Sequence, residues 1–121
     1  FRPFSPPAPR PVSPPSLLDE IIKALAHPAR REILTWLKDP AGQFPGQTHS
    51  FEFGVCAGQI HAKAGLSCST VSAHLACLQR AGLVSTRKLG QWIFYTRDEA
   101  AISAFLQHMQ HTLQSPLEHQ T

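Results

Sequence analysis

The sequence predicts a mainly α domain carrying one β-hairpin, and three observations lead there. Two short helical patterns meet at Gly65-Leu66-Ser67. The β-favouring run Trp92, Ile93, Phe94 and Tyr95 follows Gly90, with another strand-like run before it. Apolar residues recur at helical spacing near both ends of the patterned region: Leu17, Leu18, Ile21, Ile22 and Leu25, then Ile102, Phe105, Leu106, Met109 and Leu113. A length of 121 residues suits one compact domain. Three segments are expected: a Pro-rich disordered arm (1–15), the folded domain (16–113) and a polar tail (114–121).

Seven of the eleven prolines fall in the first fifteen residues, which rules out a sustained helix or sheet ladder there. Ser16 is a good N-cap, and Asp19 three residues on gives a pairing like a capping box. The first helix breaks at His27-Pro28, and Pro28 suits the first position of a second helix. Ile33, Leu34 and Leu37 form that helix's buried stripe, with Trp36 beside it. Residues 38–54 read as a long loop marked by Pro40, Gly42, Pro45 and Gly46; a brief extended piece fits Phe51 and Phe53 on either side of Glu52. A third helix is expected over 55–64, with Gly65 as its left-handed C-cap. Ser67 caps a fourth helix running to about residue 81, with Val71, Leu75 and Leu78 inward. Strands at 83–88 and 92–96 flank a turn at Leu89-Gly90-Gln91. Asp98 caps a last helix ending near Leu113.

The charge is informative in its distribution. The net charge is only +3, yet no acidic residue lies between Phe53 and Arg97, a stretch holding Lys63, Arg80, Arg87, Lys88 and Arg97. A segment with positive charge alone suits a polyanionic partner. It coincides with the paired helices, a helix-turn-helix pattern that Ile60, Leu66, Val71 and Leu75 can lock at a steep angle. The second helix of the pair opens with small polar side chains: Ser67, Cys68, Ser69, Thr70 and Ser72. Small residues allow close approach to DNA, and their hydroxyls and the free backbone N–H groups suit phosphates. Ser72, Ala73 and His74 lie where base edges can be reached. Arg87, Lys88 and Gln91 cluster at the hairpin tip, suited to gripping the flanking backbone. Helix-turn-helix plus hairpin makes a winged helix, and double-stranded operator DNA is the expected partner. Arg87→Ala is expected to weaken binding on all sequences, and changes at Ser72 or His74 to alter sequence preference.

Four segments together resemble the ArsR/SmtB family of bacterial winged-helix repressors: ALAHPARREIL at 24–34, GLSCSTVSAHL at 65–75, AGLV at 81–84 and KLGQWIFY at 88–95. The resemblance runs from about residue 16 to residue 113. It implies a homodimer built on the first and last helices that binds an operator near its own promoter and releases it when an effector binds. The apolar stripes agree, since a small core cannot use both fully. Pairing across a two-fold axis would bury Leu17, Leu18, Ile21, Ile102, Phe105, Leu106, Met109 and Leu113.

The family's metal sites are incomplete here. Where many members carry two cysteines near the start of the third helix, this chain has Cys56 and then Gly58. One thiolate is a poor site for arsenite, lead or cadmium. At the family's zinc site between the last helices, Asp98 and His111 fit, but Ala100 and Gln114 replace the other ligands. No metal and no cofactor is expected. The effector stays open: an organic ligand under the phenylalanine-bearing loop, oxidation of Cys68 or Cys56, a metal at Cys56 or at His108 and His111, or none. His49, Glu52 and Cys56 would converge if the loop folded back.

The three cysteines Cys56, Cys68 and Cys77 make no disulfide framework. No run of about 18 apolar residues and no signal-peptide pattern is visible, so no membrane is involved and the cytoplasm is the expected compartment. No Ser/His/Asp set, paired-carboxylate site or phosphate loop stands out, so no enzyme is expected. The alternative reading is a winged-helix protein-interaction module without specific DNA binding.

Overall fold

The computed structural model describes residues 17–116. The Pro-rich segment, the Ser16 cap and the last five residues of the tail lie outside the described residues. The first helix, α1 (Leu17–Leu25), turns Ile21 and Ala24 into the core. The second, α2 (Pro28–Lys38), starts at proline as the pattern requires. Its cap is His27, whose extended backbone lets Nδ1 accept from the Ala29 N–H at 3.1 Å. Ile33, Leu34 and Leu37 face inward.

The loop expected over 38–54 holds two short elements. Asp39 caps α3 (Pro40–Gln43) through the Gly42 N–H, and Ser50 caps a 3₁₀ turn at Phe51–Phe53. The extended piece expected at Phe51 and Phe53 is therefore a 3₁₀ turn, with the Phe53 ring against Phe94 of the sheet and Phe51 packed on the core. Gln47 latches the loop: its Nε2 donates to the Gly54 carbonyl at 3.1 Å, and its Oε1 accepts from the Cys56 N–H at 2.9 Å.

The helix expected from residue 55 starts two residues later. Val55–Cys56 is a short strand, β1, and α4 follows at Ala57–Ala64. β1 pairs antiparallel with β3 (Trp92–Arg97), Val55 opposite Tyr95 and Cys56 opposite Phe94. Gly54 permits this join. Its φ is +104°, and a Cβ there would stand 2.5 Å from the Tyr95 carbonyl oxygen. On the other side of β3 lies β2 (Val84–Leu89), giving the sheet order β1-β3-β2. Between α4 and β2 runs α5 (Cys68–Arg80), capped by Ser67. The last helix, α6 (Glu99–Leu113), is capped by Asp98 through the Ala101 N–H at 2.9 Å.

One core joins these pieces. Ile33, Val55, Ile60, Val71, Leu75, Leu78, Leu83 and Phe94 are all but fully buried. Leu66 departs from its expected locking role: it is 47% exposed at the turn, and Val71 and Leu75 lock the helix pair without it. None of the fifteen residues of α6 is fully buried.

Candidate nucleic-acid interface

The helix pair is set by its turn. Gly65 closes α4 with φ +66° and ψ 13°, a left-handed cap that a Cβ would strain. The chain then reverses through Leu66 to Ser67. The Ser67 Oγ accepts from the Thr70 N–H at 3.2 Å and lies 2.7 Å from Thr70 Oγ1. Ser67, Cys68, Ser69, Thr70, Ser72 and Ala73 are all exposed on this end of α5. A protruding helix start with free N–H groups and short hydroxyl side chains can bond phosphates and bring a backbone close to base edges.

His74 does not belong to that surface. It is only 6% exposed and faces α2, where Arg30 Nε donates to its Nδ1 at 3.1 Å. The His27 ring packs on it at 4.4 Å between centroids. Burial lowers its pKa below 6.5, and the charges of His27 and Arg30 lower it further. The expectation that His74 reads a base is thus corrected. It follows Val71 by three residues and precedes Leu75 and Leu78, the inward slots of α5, so helical spacing alone points it at the core.

The hairpin of β2 and β3 follows α5 in the chain. Its turn is Gly90-Gln91, with φ +60° at Gly90. Arg87, Lys88 and Gln91 are exposed around it. The Arg87 guanidinium lies 4.6 Å from the Phe53 ring centroid, a cation–π contact that holds the charge at the sheet face. His49 packs on Trp92 and Phe94, at 4.9 and 5.4 Å, so the loop before β1 braces the hairpin. Gln79 Nε2 donates to Thr86 Oγ1 at 3.4 Å, linking α5 to β2. These braces are non-local, and the sequence carried no sign of them beyond the phenylalanines of the loop.

The five cations are not equivalent. Arg97 is engaged internally: it makes a two-pronged pair with Glu99, at 2.8 and 3.1 Å, and its Nη1 donates to the Leu34 carbonyl. Lys63 sits 5.3 Å from the Trp36 ring centroid. Arg80, Arg87 and Lys88 are exposed and make no ion pair among the described residues.

Away from these residues, α1 and α6 present apolar surface. Leu17 is 61% exposed, Leu106 59% and Leu113 74%. Leu18 and Met109 are half-buried, while Ile102 and Phe105 rest partly on the core. Ile21, at 6% exposed, packs mainly into this chain's own core and reaches the expected face only as part of the floor of the cleft there. Leu17, Leu18, Phe105 and His108 line a cleft of about 400 Å³ between the two helices.

Among the described residues no three His, Cys, Asp or Glu side chains converge as metal ligands. His49 is committed to aromatic contacts, and Cys56 is buried with Gly58 as its neighbour across the helix start, so His49, Glu52 and Cys56 do not form a site. Cys68 is exposed and Cys77 buried, both as free thiols. No helix among the described residues is long and apolar enough to cross a membrane.

Comparison with known proteins joins this geometry to a lineage. The arsR family of bacterial regulatory proteins matches residues 55–86, from β1 through the helix pair into β2. The HTH-type transcriptional regulator YbzH of Bacillus subtilis is 41% identical over 85 residues, 69% of this chain and 85% of that protein. The chain belongs to the ArsR family. The transcriptional activator HlyU of Vibrio cholerae is 33% identical over 87 residues, 72% of this chain and 68% of that protein. A solved structure of reduced HlyU from the same organism superposes with a TM-score of 0.53 at 29% identity, covering 79% of this chain and 87% of that one. This ArsR-family member is therefore a DNA-binding winged helix-turn-helix transcriptional regulator and not an enzyme.

Proposed function

We propose that the chain works as a cytoplasmic homodimer that recognises a specific operator in double-stranded DNA, represses by occupying it, and responds to an effector. One observation carries this reading: an exposed, acid-free helix start and an exposed basic hairpin sit on one unit, while two apolar helix faces lie uncovered on another. Ser67, Cys68, Ser69 and Thr70 are assigned to phosphate contacts. Ser72 and Ala73 are assigned to base edges, and Arg87, Lys88 and Gln91 to the flanking backbone. Leu17, Leu18, Ile102, Phe105, Leu106, Met109 and Leu113 are assigned to the dimer face. Repression follows from steric occupancy of a promoter; the activator name of HlyU makes direction of control the feature to measure rather than assume.

The test pairs sedimentation with DNA binding on the gene's own upstream region, across a salt series. A dimer that prefers one site over scrambled duplex by about a thousandfold or more supports the proposal. A strict monomer that binds scrambled and upstream DNA alike overturns it and leaves the protein-interaction module as the reading. A reporter fused to the upstream region, with and without the regulator, decides repression against activation.

A further inference from the structure

Between α2 and the helix pair lies a crevice of about 340 Å³, distinct from both the DNA-facing surface and the dimer face. His27, Glu32, Ile33 and Trp36 form its α2 wall, and Ala64 and Val71 face them from the helix pair. The volume is at the small end for ligand sites, which run from roughly 300 to 1,000 Å³. The lining is apolar with an aromatic wall, and its polar groups are few and defined.

Those groups are two imidazoles and one carboxylate. His74 lines the crevice while almost wholly buried. Its Nδ1 accepts from Arg30, so the neutral ring carries its proton on Nε2. His27 Nδ1 accepts from the Ala29 N–H, which leaves Nε2–H as the free donor of that ring as well. Neither Nε2 has a hydrogen-bond partner among the described residues. A site that offers two imidazole N–H donors beside an apolar wall selects a ligand with an accepting oxygen on a flat apolar body. Glu32, unpaired on the same wall, disfavours an acid and accepts from a hydroxyl.

We propose that this crevice is an effector site for a small planar aromatic molecule bearing a neutral hydroxyl or carbonyl oxygen, a phenol being the best match. The crevice joins α2 to α5 through the same His74 that anchors the reading helix. A ligand wedged there favours one setting of α5 over another, and DNA affinity shifts by the difference in ligand affinity between the two. The regulatory half of the proposal rests on the DNA-binding reading given above; the binding half does not.

The test therefore begins without DNA. The full chain is titrated with 2-naphthol, 2-naphthoate and naphthalene, followed by calorimetry and by NMR of the Trp36 indole and the histidine side chains. Binding of 2-naphthol about tenfold tighter than either comparator, with shifts at Trp36, His27 and His74, supports the site. Equal binding of all three, preference for the naphthoate, or shifts elsewhere overturns it. Ala64→Leu fills the crevice from α4 and should weaken 2-naphthol about tenfold or more. His74→Phe keeps a ring but removes the donor, and should erase the preference over naphthalene; an undiminished preference in this variant overturns the assignment even if Ala64→Leu misfolds. Saturating 2-naphthol should then lower wild-type affinity for the upstream DNA at least about fivefold, with no change in Ala64→Leu. Tight binding in the crevice with unaltered DNA affinity overturns the effector role. Failure of the ligand-free protein to bind DNA instead overturns the regulator reading, and the titration still decides the site.

Discussion

At the residue scale, two side chains of one basic, polar unit have opposite fates. Arg87 is exposed, with its guanidinium over the Phe53 ring. Arg87→Ala should weaken binding to specific and scrambled duplex alike and lower the slope of log affinity against log salt by about one, read by anisotropy between low and moderate salt. An unchanged slope would remove Arg87 from the backbone contacts. His74 belongs to the interior, and its titration acts on stability. Its pKa is lowered by burial first, then by His27 and Arg30, so near pH 6 the unfolded chain binds more protons than the folded one. Its contribution is complete above the unfolded value of 6.5 and is lost as pH falls below it toward the lowered folded value. The wild-type melting temperature should fall between pH 7.5 and 5.5 more steeply than that of His74→Phe. Parallel curves would place the acid sensitivity elsewhere. Caps such as Ser67 and Asp98 were legible in the sequence because capping is a local contest decided within three residues. The role of His74 was hidden because its polarity suggested surface while its spacing from Val71 dictated core.

At the element scale, the loop before β1 shows where local reading ends. Pro40, Gly42, Pro45 and Gly46 announce an irregular segment correctly, but its work depends on partners far along the chain. The register of Val55 opposite Tyr95 cannot be read from a two-residue strand, and the His49 contact with Trp92 joins residues on either side of the helix pair. Gln47 is the fastening. Gln47→Ala removes the side-chain partner of both the Cys56 N–H and the Gly54 carbonyl, and should cost about 1–3 kcal/mol. Denaturant melts give the magnitude, and faster hydrogen exchange at the Cys56 amide locates it. A loss of stability without faster exchange at Cys56 would mean that Gln47 acts elsewhere. α6 is the complementary case. Its stripe was plain in the sequence, and within the lone chain not one residue of it is fully buried. Leu106→Glu places a charge where the lone chain leaves the side chain 59% exposed, so the fold should tolerate it. A dimer that buries that leucine should weaken by roughly 1.5–3 kcal/mol or more, read as a rise in the sedimentation dissociation constant. Unchanged association would show that the α1 and α6 faces pair with something else.

For the whole molecule, the two surfaces constrain one another. The Gln79–Thr86 hydrogen bond links α5 to the hairpin, the Arg30–His74 contact ties α5 to α2, and the Phe53–Arg87 stack ties the hairpin to the loop before β1. The α1 and α6 faces sit on the same core through Ile21, Ile102 and Phe105. The proposed dimer, joined at those faces, would hold its two α5 helices at a set separation and phase, which on DNA would correspond to half-sites about 34–36 Å apart, one helical turn. Inserting about five base pairs between half-sites keeps every contact sequence but turns one half-site to the far face of the duplex. A stiff dimer then engages only one half and loses most of its preference over scrambled DNA. If the dimer were flexibly joined, or if each chain read DNA alone, the insertion would cost little. Competition binding on the native and expanded sites separates these cases, and the Leu106→Glu protein supplies the control: a chain already acting singly should respond to the insertion hardly at all, so the penalty itself measures how rigidly the α1–α6 face carries the reading heads.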